Sequence, residues 1–546
     1  MKQMLEEMKW FYKSKLYMIA TTIVAVCGYG FAISHPAIGV DDTMVGTYLE
    51  DGLEVVMGRW TVFLINKLFH LSEFAPFMLE LVGVILLMAG TMLFCVLWKR
   101  ILGERVGIVG YTVFACLMLT NPVISEVNIY YYHNGSDLAY IFLALSLLSF
   151  LRALDAKGKS KIRAYVMSLL AVWVAVGCYE SFIILFLLGV VMLLFFRGFA
   201  QKEEVHAKLV FQNLFAMALI AVGCVALRTV IVEIMVLVFG LGGIEVESRS
   251  ISEMLVLFQS KESLYDIVML VKRYILVYFV NAIVYLPALG YVVALTIYGI
   301  VAMVQTIKRK NVWYLVLFVA ILTIPFCLTL IEAKVTYYRS CQYMPVFVAS
   351  AFLLLYAMLS QRVKGKQVGY LVTFAAVILI YNQASMMNQN FYMDYRKYQH
   401  VKETLTGAAE DVERLFGTGY PVVFVGSYEI PYEFVKDYYL DVDSEKLAKI
   451  DALASILDEN LVEKYYDDYG YSFAGEAQYS LIEWGMSAFG KTGLQLFRFL
   501  EMHGYELERV EDEAVITEAF AIGNSMPDWP AEGSIVKWED KIIVNF

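Results

Sequence analysis

LYMIATTIVAVCGYGFAIS, residues 16–34, is nineteen consecutive residues without a charge. A helix of that length is about as long as the hydrocarbon core of a bilayer is thick, so the run reads as a membrane-spanning helix. It is too long for a typical signal-peptide core and lacks a clear small-x-small cleavage site, so it is expected to remain as a first helix. Runs of the same character follow at 75–97, 106–120, 138–152, 164–178, 182–196, 209–227, 286–304, 312–331, 345–360 and 367–384. About eleven spans are therefore expected, in a mainly α polytopic membrane helix bundle.

Composition agrees. The 546 residues are 60% hydrophobic and 18% charged, where soluble domains lie nearer half and a quarter. The net charge of −10 is unevenly spread. From Asn390 onward there are 30 acidic and 13 basic residues, against 23 and 30 before it. The expected division is a transmembrane domain over 1–389 and an acidic α/β domain over 390–546. A basic membrane part with an acidic tail does not suit a nucleic-acid binder. The seven cysteines, at 27, 95, 116, 178, 224, 327 and 341, sit almost all in apolar runs and form no disulfide framework or CxxC metal site.

Orientation follows from the connections. Lys2, Lys9, Lys13 and Lys15 precede the first span. Basic clusters recur at Lys99–Arg105, Arg152–Arg163, Arg197–Lys208, Lys308–Lys310 and Arg362–Lys366, after every second span. Positive loops stay in the cytoplasm, so the N-terminus is expected inside and the tail outside the plasma membrane. The apolar, charge-broken stretches between Arg228 and Leu286 are expected to be amphipathic helices at the outer surface. In the tail, Val401, Leu405, Val412 and Phe416 have helical spacing. PVVFVG reads as a buried strand, GLQLFRFLEMHG as a helix, YELERV as a strand, and GSIVKWEDKIIVNF as a hairpin.

The segment after the first span, HPAIGVDDTMVGTYLEDGLEVVMGRW, carries the densest chemistry. Asp41 and Asp42 lie so near a membrane span that they need water or a polar cavity. A carboxylate there can act as general base toward a hydroxyl, and Asp42 can equally cap a helix. Arg59 can pair with a phosphate or with these carboxylates, and Arg339 is the second cation expected to hold phosphate. Glu126, Asn128, Tyr132, His133 and Asn134 offer stacking and hydrogen bonds to a sugar, though tyrosines also belong at interfaces. Glu180, between the fifth and sixth spans, is either a further substrate-binding carboxylate or the cap of a tight turn. A divalent cation on Asp41, Asp42 and Glu180 is left open, and no other cofactor is expected.

Asp41-Asp42, then Gly58-Arg59-Trp60, the Arg339…Pro345 spacing, and the tail sequences YPVVFVG and MPDWP…GSIVKWEDKIIVNF resemble the bacterial serotype-converting glucosyltransferase II family. The resemblance implies a class C glycosyltransferase fold with Asp42 and Asp41 at the catalytic position. It also implies a polyprenyl-phosphate-linked hexose, expected to be glucose, as donor. The acceptor it implies is a cell-surface polysaccharide or glycolipid on the outer face of the bilayer. The alternative is a transporter or flippase for lipid-linked glycans. That reading expects two similar halves and charged residues at mid-span, neither of which the sequence displays.

Overall fold

The computed structural model describes residues 2–39, 41–44, 50–70, 75–125, 134–200, 204–241, 286–327, 338–362, 366–426 and 493–546, with a few isolated positions besides. Each of the eleven expected runs contains a helix among the described residues, that at 312–331 being Trp313–Thr323. α1 (Lys2–Tyr12) is short and lies against the bundle; the first span is α2 (Lys15–Ser34), begun by Ser14, whose hydroxyl accepts from the Tyr17 amide at 3.3 Å. α3 (Leu53–Val56) and α4 (Trp60–Phe69) follow, then α5 (Pro76–Leu102), with proline in its first turn, and α6 (Gly107–Leu119). Next come α7 (Asn134–Asp155), α8 (Gly158–Val176), α9 (Phe182–Phe199) and α10 (Ala207–Phe239). α11 (Leu286–Arg309), α12 (Trp313–Thr323), α13 (Met344–Arg362) and α14 (Lys366–Phe416) complete the bundle.

Among the described residues, eight helices are long and apolar enough to cross a membrane; α12 and α13 are shorter apolar helices. α9 is 89% buried, because both its faces are large and apolar, and it runs through the centre. α10 is 11% buried and lies at the periphery, its apolar side chains facing outward. α10 runs on to Phe239, past the point near Arg228 where the external segment holding the expected surface helices was placed. The rest of that segment, apart from two isolated positions, is outside the described residues.

One end of the bundle is basic and tightly tied. Arg100 donates to Glu7 of α1 at 2.8 Å, and Lys99 lies 4.0 Å from the centre of the Trp10 ring. α14 is continuous across residue 390, where the two domains were expected to divide.

The tail holds a three-stranded sheet of order β1-β3-β2, from β1 (Val422–Val425), β2 (Ile535–Trp538) and β3 (Lys541–Asn545). β1 and β3 are parallel with Val423 beside Ile543, and β2 and β3 form the expected hairpin. Alternation splits the sheet's faces. Val423, Val425 and Ile543 pack on α16 (Glu513–Gly523), a helix the sequence reading did not expect. Val422, Phe424, Ile542 and Val544 face the other way and join α15 (Leu494–Met502), α14 and the membrane bundle in one continuous apolar core. The expected strand at Tyr505–Val510 is not formed: Arg509 makes a single bridge to Val422. That bridge lies on the edge of β1 opposite β3, where the Val422 amide donates to the Glu508 carbonyl at 2.8 Å and the pairing extends no further.

Candidate active site

Two groups of charged side chains collect at the end of the bundle away from α1. The first is built on the 3₁₀ turn Asp41–Met44. The Gly39 amide donates to Asp42 Oδ2 at 2.7 Å, and the Asp42 amide donates to the Gly39 carbonyl at 3.1 Å. The turn thus closes on itself and holds the Asp42 carboxylate in place, 3% exposed. Glu80, near the start of α5, and Asp137, in the first turn of α7, are equally buried. The charges of Asp137 and Asp42 both act on Glu80. Carboxyl groups gathered in a low-dielectric place disfavour one another's ionisation, and such a grouping inside a membrane bundle marks function more often than packing. Of Asp41 only the backbone is described. Among the described residues no three side chains are placed to hold a metal ion.

α15 packs against this same turn, with Leu496, Phe499 and Leu500 fully buried. His503, just past its end, is anchored to α14: the Tyr398 hydroxyl and His503 Nε2 are 2.9 Å apart, and Nδ1 lies 2.7 Å from the Phe499 carbonyl. The tail therefore forms the roof over the Asp42 turn.

The second group centres on Arg59. The chain turns at Gly58 with φ +92°, where a side chain would collide with Arg228 and where glycine costs least. Arg228, reaching across from α10, donates to the carbonyls of Met57 at 2.6 Å and Gly58 at 3.3 Å and fixes the turn. The Thr61 amide donates to the Gly177 carbonyl at 3.0 Å, which brings the Arg59 corner against the α8–α9 connection. There, Arg59 Nε and Nη2 donate to the two oxygens of Glu180 at 3.1 and 3.3 Å, and Nη1 donates to Glu54 at 3.3 Å. The guanidinium also lies over the Tyr179 ring, 4.8 Å from its centre.

The electrostatics follow from this packing. Burial alone would lower the pKa of Arg59, but Glu180 and Glu54 outweigh it and keep the guanidinium charged. Surrounding protein likewise works against the charge on Glu180, yet Arg59, helped by Arg228, holds its carboxyl below the ordinary range. Its side chain nonetheless stays 45% exposed, whereas Glu54 is 2% exposed. Burial pushes the Tyr179 phenol up, against the pull of Arg59 and Arg339. Tyr179 and Ser340 are hydroxyl neighbours at 3.3 Å, and Gln342, 1% exposed, donates to the carbonyls of Arg339 at 2.7 Å and Val123 at 3.3 Å. Tyr140 of α7 donates to Gln342 Oε1 at 2.8 Å, so the Arg339 turn is locked to α7.

The structure thus brings Arg59, Glu180 and Arg339 of the expected site together and places Asp42 in a separate carboxylate group at the same end. Glu126, Asn128, Tyr132 and His133 lie outside the described residues; Asn134 opens α7, and its side chain is not described. Sequence reasoning passed over Glu54, Glu80, Asp137 and Tyr179. Glu80 carried a usable signal, a lone acid in an apolar run, and Glu54 carried none, since its partner is set by the turn at Gly58.

A multi-pass helix bundle with buried carboxylates and arginines gathered at one end has the polar groups of a functional membrane protein rather than of a purely structural bundle. The Glucosyl transferase GtrII family matches residues 30–356, well over half of the chain, and the protein belongs to that family. It is a membrane glycosyltransferase. The match covers both charged groups up to Arg339 and ends before the tail. No curated relative and no solved structure matches the chain.

Proposed function

We propose that the protein moves a hexose, glucose by its family, from a polyprenyl-phosphate carrier to a polysaccharide or glycolipid at the outer face of the membrane. The observation that carries the reading is the pairing, at one end of the bundle, of a buried carboxylate group around Asp42 with a cationic group around Arg59. The two halves of a transfer from a lipid phosphate need these two chemistries. An acceptor hydroxyl must lose a proton as the anomeric carbon gains positive charge, and a carboxylate serves both needs. The departing phosphate needs fixed cations, and Arg59, Arg228 and Arg339 lie near one another around Tyr179 and Glu180. The alternation of basic loops supports placing that end outside, where nucleotide sugars are scarce and lipid-linked sugars are presented.

The test is an assay of the purified protein with polyprenyl-phosphate-linked glucose, the same carrier bearing other hexoses, and a nucleotide-linked glucose. Transfer from the lipid-linked glucose alone is expected. Efficient transfer from the nucleotide sugar would overturn the lipid-donor reading. Movement of intact lipid-linked sugar across vesicles without transfer would favour the transporter.

A further inference from the structure

We infer that Glu180 is the resting occupant of a phosphate-ester site on Arg59: it fills the guanidinium fork when the donor is absent and leaves when a lipid-borne phosphate arrives. The inference rests on the lipid-phosphate reading above and adds to it an internal competitor.

The argument starts from the shape of the contact. Arg59 presents Nε and Nη2 to the two oxygens of Glu180 at 3.1 and 3.3 Å. That side-on fork is the arrangement by which arginine grips carboxylate and phosphate alike. The two carboxylates on Arg59 are not equivalent, however. Glu54 is 2% exposed and Glu180 is 45% exposed. Removing Glu54 would strand a buried charge, whereas Glu180 can swing into water with little loss.

The arginine itself has no such freedom. Its backbone amide donates to the Glu54 carbonyl at 2.7 Å, its face rests on Tyr179, and Arg228 grips the turn before it. The site is therefore fixed on three sides and closed on the fourth by one movable anion. Once Glu180 swings out, the position it leaves stays under the influence of Arg59 and Arg228, with Arg339 acting on the adjoining Tyr179, a cationic setting that favours a phosphate. Return of Glu180 after transfer competes with the product phosphate and speeds its release.

The experiment measures binding to the purified protein of a short-chain polyprenyl phosphate, the corresponding polyprenol, and inorganic phosphate, in wild type, Glu180→Gln and Arg59→Gln. Glu180→Gln should bind the polyprenyl phosphate roughly tenfold more tightly, the gain from vacating a site that its own side chain occupies nine parts in ten. In turnover it should lower the donor KM and also lower kcat, because product leaves more slowly. Arg59→Gln should lose the phosphate-dependent part of the binding. Unchanged or weaker binding by Glu180→Gln, with wild type still binding the lipid phosphate, overturns the exchange while leaving the donor reading intact. Equal affinity for inorganic phosphate and the lipid phosphate overturns the lipid-borne ligand. Failure of every variant to prefer polyprenyl phosphate over polyprenol overturns the exchange and the donor reading together.

Discussion

Asp42 receives the Gly39 amide on one carboxylate oxygen at 2.7 Å, and an asparagine can keep that bond through its own oxygen. Asp42→Asn should therefore preserve the turn and remove only the charge and the basicity. Turnover is expected to fall on the order of a hundredfold or more, the scale of losing a general base, with insertion and melting unchanged. Near-normal transfer by the double variant Asp41→Asn, Asp42→Asn would reduce the pair to a turn-forming role. Arg339 calls for a graded series. Arg339→Lys keeps a point charge beside Tyr179 but loses the planar fork, and Arg339→Ala loses both. Donor KM should rise more for alanine than for lysine, and two variants that both match wild type at low donor would remove Arg339 from the site. Arg59, Glu180 and Arg339 stood out in the sequence because bases in loops expected outside and an acid beside a span are conspicuous. Their grouping did not, since it depends on Gly58 turning the chain and on Gly177 meeting Thr61 across 116 positions of sequence.

At the scale of the element, α15 shows how local reading succeeds and where it stops. The apolar spacing of Leu496, Phe499 and Leu500 marked a helix, and the structure contains it. Nothing in that spacing says that its apolar face meets the turn at Asp41–Met44, more than 450 positions away. The docking should be measurable. Leu496→Ala empties a fully buried position and is expected to cost about 2–5 kcal/mol of tail stability, read as a lower melting temperature or faster proteolysis of the tail. His503 adds a pH term. Burial holds its pKa below the ordinary imidazole value of 6.5, and Lys402 acts in the same direction. A base depressed in the fold binds more protons when unfolded, so stability rises with pH through that region. Amide exchange in α15, corrected for intrinsic rates, should quicken as pH falls below about 6.5. His503→Gln should flatten that dependence; an unaltered pH profile in the variant would assign the effect to another group.

For the molecule as a whole, hydropathy made the bundle readable, because each apolar run that was long enough became a helix. The tail's strand order was less accessible: β1 pairs in parallel with β3 across more than a hundred residues, and α16 carries only a short apolar face. Sidedness rests on the basic loops and is open to a direct measurement. The tail has no cysteine, so Glu532→Cys at its exposed surface supplies one reactive thiol there. In intact cells it should react with a membrane-impermeant maleimide; reaction only after lysis would invert the orientation.

α14 runs unbroken for 51 residues, a rod about 77 Å long at the usual helical rise. A bilayer needs only about twenty of those residues. Toward its middle Met387 lies against Gly28 of α2, and further on Tyr398 meets His503. Such a rod transmits rotation as faithfully as distance. One residue inserted between those two anchors would turn everything beyond it by about 100° and carry α15 off the Asp42 turn, whereas seven would return it to nearly the same heading about 10 Å further out. The length of this stretch is thus quantised in turns, and the phase of a single helix sets which way the roof faces.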